Sequence, residues 1–257
     1  MNTDNNNAQP AWAELLKQAT MVPGMISEAF RSFHNYSVGN QLLALWQCML
    51  RGIPAGPIST YMGWQAKGRQ VRKGEKALVL CMPITKKKAA KTEDEEDKFF
   101  TRFLYRAHWF VYSQTDGPEV APEPVPGWDK DKALAGLEVK EVPFQHTDGN
   151  CLGYAQRREV AVSPLAPKFA KVLFHELAHV LLGHCELGMQ TDSNSLPRDL
   201  KEAEAEAVAL LLVATLELEG QEECRGYIQN WYKQAEIPEK SAQRIFKVAD
   251  QILKAGQ

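Results

Sequence analysis

With 257 residues and 44% hydrophobic content, the chain has material for one large domain or two ordinary ones with a proper core, and it reads as globular. Thirty basic against 32 acidic residues leave a net charge of −2, so overall charge argues for no polyanionic partner and local clusters must carry that case. Five scattered cysteines without a C-x-x-C pair speak against a disulfide framework or a cysteine zinc site. With no secretory pattern in "MNTDNNNAQP" and no apolar run near the roughly 20 residues of a membrane span, a cytoplasmic protein without a membrane segment is expected.

In chain order, helical periodicity predicts segments at about 10–20 and 24–51. The second carries Met25, Ala29, Phe33, Leu42, Leu43, Leu45 and Trp46 and is interrupted near "NYSVGN". Strands are expected at "ALVLCMPI", "FFTRFL" and "AHWFVYS", rich in aromatic and β-branched residues. Between the first two, "ITKKKAAKTEDEEDKFF" reads as a solvated loop inside a domain. Prolines 118, 122, 124 and 126 stiffen "TDGPEVAPEPVPGWD" and mark the better boundary, giving a domain over 1–120, a linker over 121–128 and a second domain over 129–257.

Beyond that boundary, "CLGYAQRREVAVSP" alternates as a hairpin turning near Gln156 to Arg158. A helix is expected from about Pro167 to Gly183, a second from about 199 to 219, and helical patterns near 221–234 and 238–255 close the chain. The fold class is therefore α+β: an α+β N-terminal domain followed by a mainly helical one with a small sheet.

Within the first of these helices lies "KVLFHELAHVLLGHC". His175 and His179 stack at i, i+4, close enough to share a metal ion, and Glu176 sits about 100° round the helix, beside the ion, where a base acting on water belongs. Two histidines and a glutamate can also coincide as core or surface hydrogen-bonding groups. The flanking residues Val172, Leu173, Phe174, Leu177, Ala178, Val180 and Leu181 make the helix mostly buried, where polar groups without partners are costly, and a metal supplies a reason for them.

A catalytic zinc needs a third protein ligand, and the candidates are His184, Cys185 and a glutamate from elsewhere. The extended H-E-x-x-H-x-x-G-x-x-H pattern fails, because Leu182 and Cys185 stand where Gly and His are required; Gly183 instead reads as the helix stop, with His184 near its C-terminal dipole. On the next helix, "DLKEAEAEAVALLLVATL", Glu202 and Glu206 share a face. Glu202 is assigned as the third ligand and Glu206 as a group orienting a ligand histidine, while Glu204 reads as part of an acidic solvated face. Zinc is the default ion, and manganese, cobalt or iron also suit two imidazoles and a carboxylate.

Residues 60 to 88 hold eight basic residues, among them Lys67, Arg69, Arg72, Lys73 and Lys76, against one acid, Glu75. Such a stripe suits a phosphate backbone, with Tyr36, Tyr61 and Trp64 as stacking groups for unpaired bases and Asn40 and Gln41 as phosphate or base-edge contacts. Equally, Trp64 reads as core, the lysines as surface, and "RKGEK" as a strand-connecting turn in which Gly74 supplies the unusual backbone angle. No helix-turn-helix or zinc-finger pattern is present, which disfavours sequence-specific duplex reading.

Taken together, "GYAQRREVAVSPLAPKFAKVLFHELAHVLLGH" with "EAEAEAVA" resembles the zincin-like metallopeptidase domain of ArdC-type antirestriction proteins. "FHNYSVGNQLLALWQ", "TYMGWQAKGRQVRKGEKALVLCMPI" and "WFVYSQTDG" resemble the single-stranded-DNA-binding N-terminal domain of that family. The resemblance implies a protein of a plasmid, phage or other mobile element that protects incoming DNA from host restriction, with single-stranded DNA and a protein substrate or restriction-system component as partners. Two further readings stay open: a protector that coats single-stranded DNA and uses its metal structurally, and a metallopeptidase regulator that cleaves a repressor. For a peptidase, strand "REVAVS" is expected to present an edge to substrate.

Overall fold

The computed structural model describes residues 11–88, 98–145, 151–185 and 196–257. Helices α1 (Trp12–Met21), α2 (Met25–Phe33) and α3 (Val38–Arg51) lead into β1 (Ile58–Thr60), α4 (Tyr61–Ala66), β2 (Gln70–Val71), β3 (Leu78–Lys88), β4 (Lys98–Val111) and β5 (Thr115–Asp116). Then follow α5 (Lys130–Gly136), β6 (Lys140–Glu141), β7 (Gly153–Gln156), β8 (Glu159–Val162), α6 (Phe169–Leu181), α7 (Arg198–Thr215), α8 (Gln221–Tyr232) and α9 (Glu239–Gly256). This is the mixed α and β class expected, with helices predominating and small sheets.

The chain forms two compact units, and they differ from the consecutive domains expected. One unit comprises residues 1–42 together with 125–257, and the other residues 43–124. The later division falls inside the expected 121–128 linker, but the first helices belong with the C-terminal part. Polar caps at both ends of α1 supply a physical reason. Glu239 of α9 accepts from the backbone N–H groups of Trp12 and Ala13 at 3.2 and 2.9 Å, and buried Arg225 of α8 donates to the carbonyl of Thr20 at 2.5 Å. Helix ends leave such groups without intrahelical partners, so these two side chains anchor α1 to helices more than 200 residues away.

In this larger unit α7 is the core. Leu200 and all of Ala203–Thr215 are buried, and α7 packs against α6, α8, α9 and α2. A three-stranded sheet of order β6-β8-β7 lies against α6, with β6 parallel and β7 antiparallel to β8. The β7–β8 hairpin turns through Arg157, whose φ of 54° is the left-handed conformation a tight two-residue turn requires. Helix α5 is capped by Asp129, whose carboxylate accepts from the N–H of Lys132 at 2.7 Å, and it packs on α9.

The smaller unit contains the sheet β1-β4-β3 and the short pair β2-β5. "FFTRFL" and "AHWFVYS", expected as separate strands, are one strand, β4, paired with β3 along its length. Residues 89–97 of the expected solvated loop lie outside the described residues. Gln47 of α3 is buried and acts as a strand surrogate, donating to the Val79 carbonyl at 2.8 Å and accepting from the Val79 N–H at 2.9 Å.

Candidate functional site

Helix α6 sets the site, because its i, i+4 spacing puts both imidazoles on the face turned to the N-terminal half of α7. His175 Nε2 lies 3.1 Å from His179 Nε2, and Glu202 Oε2 lies 3.4 and 3.5 Å from these two nitrogens. The three side chains assigned as ligands thus come together around one point. For donors about 2.1 Å from a tetrahedral ion, the edge between two of them is about 3.4 Å, so one face of such a coordination shell fits the triangle.

Glu206, one turn beyond Glu202, reaches back to His175. Its Oε2 lies 2.9 Å from His175 Nδ1, and its Oε1 is 2.9 Å from Lys171 Nζ. A carboxylate on Nδ1 fixes the proton there and leaves the Nε2 lone pair toward the triangle. Burial works against a charge on His175, but its hydrogen bonds to the carboxylates of Glu202 and Glu206 outweigh it and raise its pKa from 6.5 to about 9. Hydrogen bonds to His175 and His179 hold Glu202 well below the usual carboxylate range.

Glu176 is buried, at 8% exposed; burial raises its pKa, while the charges of His175 and His179 pull it back in part. Gly153 of β7 lies directly over it, since a Cβ built there would stand 3.0 Å from Glu176 Oε1. Among the described residues, β7 and the short β6 are the two edges of this sheet. "REVAVS", expected at an edge, is the central strand β8, because the two-residue β6, too short to leave a period in the sequence, covers its other side.

Glu204 departs from expectation. Glu204 is fully buried, its Oε2 2.9 Å from His184 Nε2, and His184 Nδ1 lies 2.9 Å from His179 Nδ1. The solvated reading of Glu204 fails because the face of α7 that carries it meets His184 and α9. The signal was present: an acid between buried alanines, before an all-apolar run, needs a polar partner.

In the smaller unit, several residues expected to meet nucleic acid belong to the core. Trp64 is fully buried and its indole N–H donates to the Phe110 carbonyl at 2.8 Å. Arg69 is buried over the Tyr112 ring at 3.9 Å and donates to Thr115 Oγ1, the Thr115 carbonyl and the Gly117 carbonyl at 2.7, 2.8 and 2.9 Å. Gln41, in the larger unit, is buried and donates to the Tyr36 carbonyl at 2.7 Å, while Tyr36 and Asn40 are half-buried. Lys67, Arg72, Lys73 and Lys76 are exposed.

A shallow depression gathers Arg72 and Lys73 with Tyr61, Gln70 and Phe110. Tyr61 is 41% exposed, and its hydroxyl accepts from Gln70 Nε2 at 2.8 Å. Arg72 is shared with Glu75 at 2.9 Å and Asp116 at 3.5 Å, so the local positive charge is smaller than the sequence run implies. Gly74, at φ 91°, makes the turn expected of it. On β4, Phe103 and Tyr105 are exposed two residues apart on one face of the strand, an aromatic pair the basic run had overshadowed.

Residues 7–110 match the N-terminal domain of anti-restriction factor ArdC. Over those residues the chain carries an ArdC-type N-terminal domain. Two crystal structures of the antirestriction ArdC protein from the R388 plasmid share the fold of this chain. The metal-free one has a TM-score of 0.54 at 21% identity, covering 95% of this chain and 94% of that one. The Mn(II)-bound one has a TM-score of 0.52 at 18% identity, covering 96% and 98%. The uncharacterized protein y4eC of Sinorhizobium fredii is 28% identical over 210 residues, 75% of this chain and 68% of its own length. Among the described residues, no helix is long and apolar enough to cross a membrane.

Proposed function

We propose that this chain is an ArdC-type antirestriction factor of a mobile element that holds single-stranded DNA through its smaller unit and carries a divalent-metal peptidase centre in its larger one. The observation that carries the reading is the triangle of His175 Nε2, His179 Nε2 and Glu202 Oε2, with distances of 3.1, 3.4 and 3.5 Å, beside the buried Glu176. The Mn(II)-bound structure of the R388 ArdC protein supports a divalent ion as occupant, and zinc or cobalt suits the same donors.

An ion held by His175, His179 and Glu202 would supply Lewis-acid polarisation and would lower the pKa of water toward neutrality. Glu176 takes a proton from water as the oxygen bonds to the peptide carbonyl carbon, then delivers it to the amine nitrogen as the C–N bond breaks. Its burial makes it a stronger base than an exposed glutamate. β7, an edge strand of its sheet among the described residues, receives an extended peptide by main-chain pairing, and Gly153 lets that strand approach Glu176. In the smaller unit, Lys67, Arg72, Lys73 and Lys76 neutralise phosphates and Tyr61 stacks a base.

The test compares wild type with Glu176→Gln for metal content, single-strand DNA binding and protection of unmodified DNA entering a restricting host. Lost protection with metal and DNA binding intact supports the peptidase centre. Protection that survives in Glu176→Gln with metal bound sinks it and leaves a DNA-coating protector with a structural ion.

A further inference from the structure

His184 is outside the donor triangle, yet its side chain is almost completely buried against a ligand of that triangle. We infer that His184 and Glu204 are positioning residues that fix the tautomer and ring orientation of His179, one step removed from the metal. The inference rests on the metal reading of the His175, His179 and Glu202 cluster.

The end of α6 delivers His184 to its place. Gly183 adopts φ 74°, its N–H donates to the Val180 carbonyl at 3.2 Å, and the His184 N–H donates to the His179 carbonyl at 2.9 Å. This paired bonding is the Schellman ending, in which the second residue past the helix folds back on the residue five earlier. His184 and His179 occupy these two positions, with ring centroids 5.1 Å apart.

The two imidazoles meet through Nδ1 atoms 2.9 Å apart, and such a bond forms only when one nitrogen carries hydrogen and the other a lone pair. Glu204 decides which. Its carboxylate only accepts, so His184 Nε2, 2.9 Å away, holds the hydrogen and His184 Nδ1 offers its lone pair. His179 Nδ1 then donates, and His179 Nε2 keeps its lone pair, directed at the point shared with His175 Nε2 and Glu202 Oε2. Arg244 sets a cation 3.8 Å from the other oxygen of Glu204 and donates to the Leu182 carbonyl at 2.5 Å, bracing the carboxylate and the helix end together. A buried ionic pair adds little net stability over apolar residues of the same volume, so packing alone does not account for this one.

The test is zinc and cobalt affinity by chelator competition, the visible spectrum of the Co(II) form and the melting temperature of the metal-free protein, all on the full chain. His184→Leu is expected to weaken both ions about 10- to 100-fold and to shift the Co(II) bands, as loss of a ligand's outer partner does. His184→Asn, whose Oδ1 stands near the former Nδ1 and accepts from His179, is expected within about threefold of wild type. Glu204→Gln, of nearly unchanged volume, is expected to lose about tenfold and serves alone if His184→Leu folds poorly. Wild-type affinity and spectrum in His184→Leu or in Glu204→Gln overturn the inference, as does an equal loss in His184→Asn and His184→Leu. A wild type that binds no ion overturns the metal reading itself and this inference with it, a result distinct from the other outcomes.

Discussion

His175 and Lys171, one turn apart on α6, share a single buried carboxylate: Glu206 lies 2.9 Å from His175 Nδ1 through one oxygen and 2.9 Å from Lys171 Nζ through the other. The helix that contributes Glu202 to the donor cluster also orients the first donor of α6, so ligand and support arrive on one rigid element.

Glu206→Gln tests that coupling. The amide keeps the size of the side chain but can turn its NH2 toward His175, which would move the ring proton to Nε2 and block the donor position. Metal affinity is expected to fall about 10- to 100-fold. Chelator competition measures it, and an unchanged affinity would show that the lone pair of His175 is set by something other than Glu206.

The proton on His175 should compete with the metal. In the metal-free protein its pKa is about 9, so at pH 7 an entering ion must displace a proton. Affinity should therefore climb about tenfold per pH unit from 7 toward 9 and then level. Calorimetry in buffers of different ionisation enthalpy should detect close to one proton released per ion at pH 7. Stability of the metal-free protein should move the opposite way: the folded pKa lies above the unfolded value of 6.5, so this contribution is complete below pH 6.5 and is lost as pH rises through about 9. Metal binding that ignores pH across this window would refute the assignment.

In the smaller unit, stability and DNA binding should separate by residue. Trp64→Ala removes a fully buried indole and is expected to cost about 3–5 kcal/mol of stability. Lys73→Ala, at an exposed position, should leave the melting temperature unchanged, weaken single-strand binding and reduce the salt slope by about 0.7. Tyr61→Ala should cost about 1–3 kcal/mol of binding if its ring stacks a base. Salt titrations with an oligonucleotide, paired with thermal melts, distinguish the two classes. Lys73→Ala and Tyr61→Ala that bind like wild type would remove DNA from this face.

The pattern of legibility follows the range of the interactions. Local rules are readable: the periodicity of α6 to α9, the turn at Arg157, the left-handed Gly74, and the i, i+4 spacing that joins His175 to His179. Residues whose two roles share one composition are not. An aromatic beside a basic run serves a core or a nucleic acid equally well, and only the carbonyl of Phe110, 46 residues away, decides for Trp64. Glu204 reads as solvated because the i, i+4 rule groups Glu202 with Glu206 and leaves the face between them to solvent, whereas α7 packs on α9 as well as α6. The allegiance of α1 depended on Glu239 and Arg225, single side chains that leave no periodic trace.

Gly153 offers a prediction about access to the site. A Cβ there would stand 2.6 Å from Val172 Cγ1 and 3.0 Å from Glu176 Oε1. Val172 is β-branched on a helix and has essentially one χ1 state, so it cannot swing aside, and the strand has to move instead. Gly153→Ala is therefore expected to cost about 1–3 kcal/mol by overpacking. Because His175, His179 and Glu202 stay in place, metal affinity should remain near that of wild type while peptidase turnover and protection fall, as β7 is pushed off Glu176. Thermal melts, chelator competition and a protection assay on the same protein separate these effects. Turnover and stability both unchanged in Gly153→Ala would mean that β7 is free to move over Glu176, and that the peptide edge is positioned by other contacts.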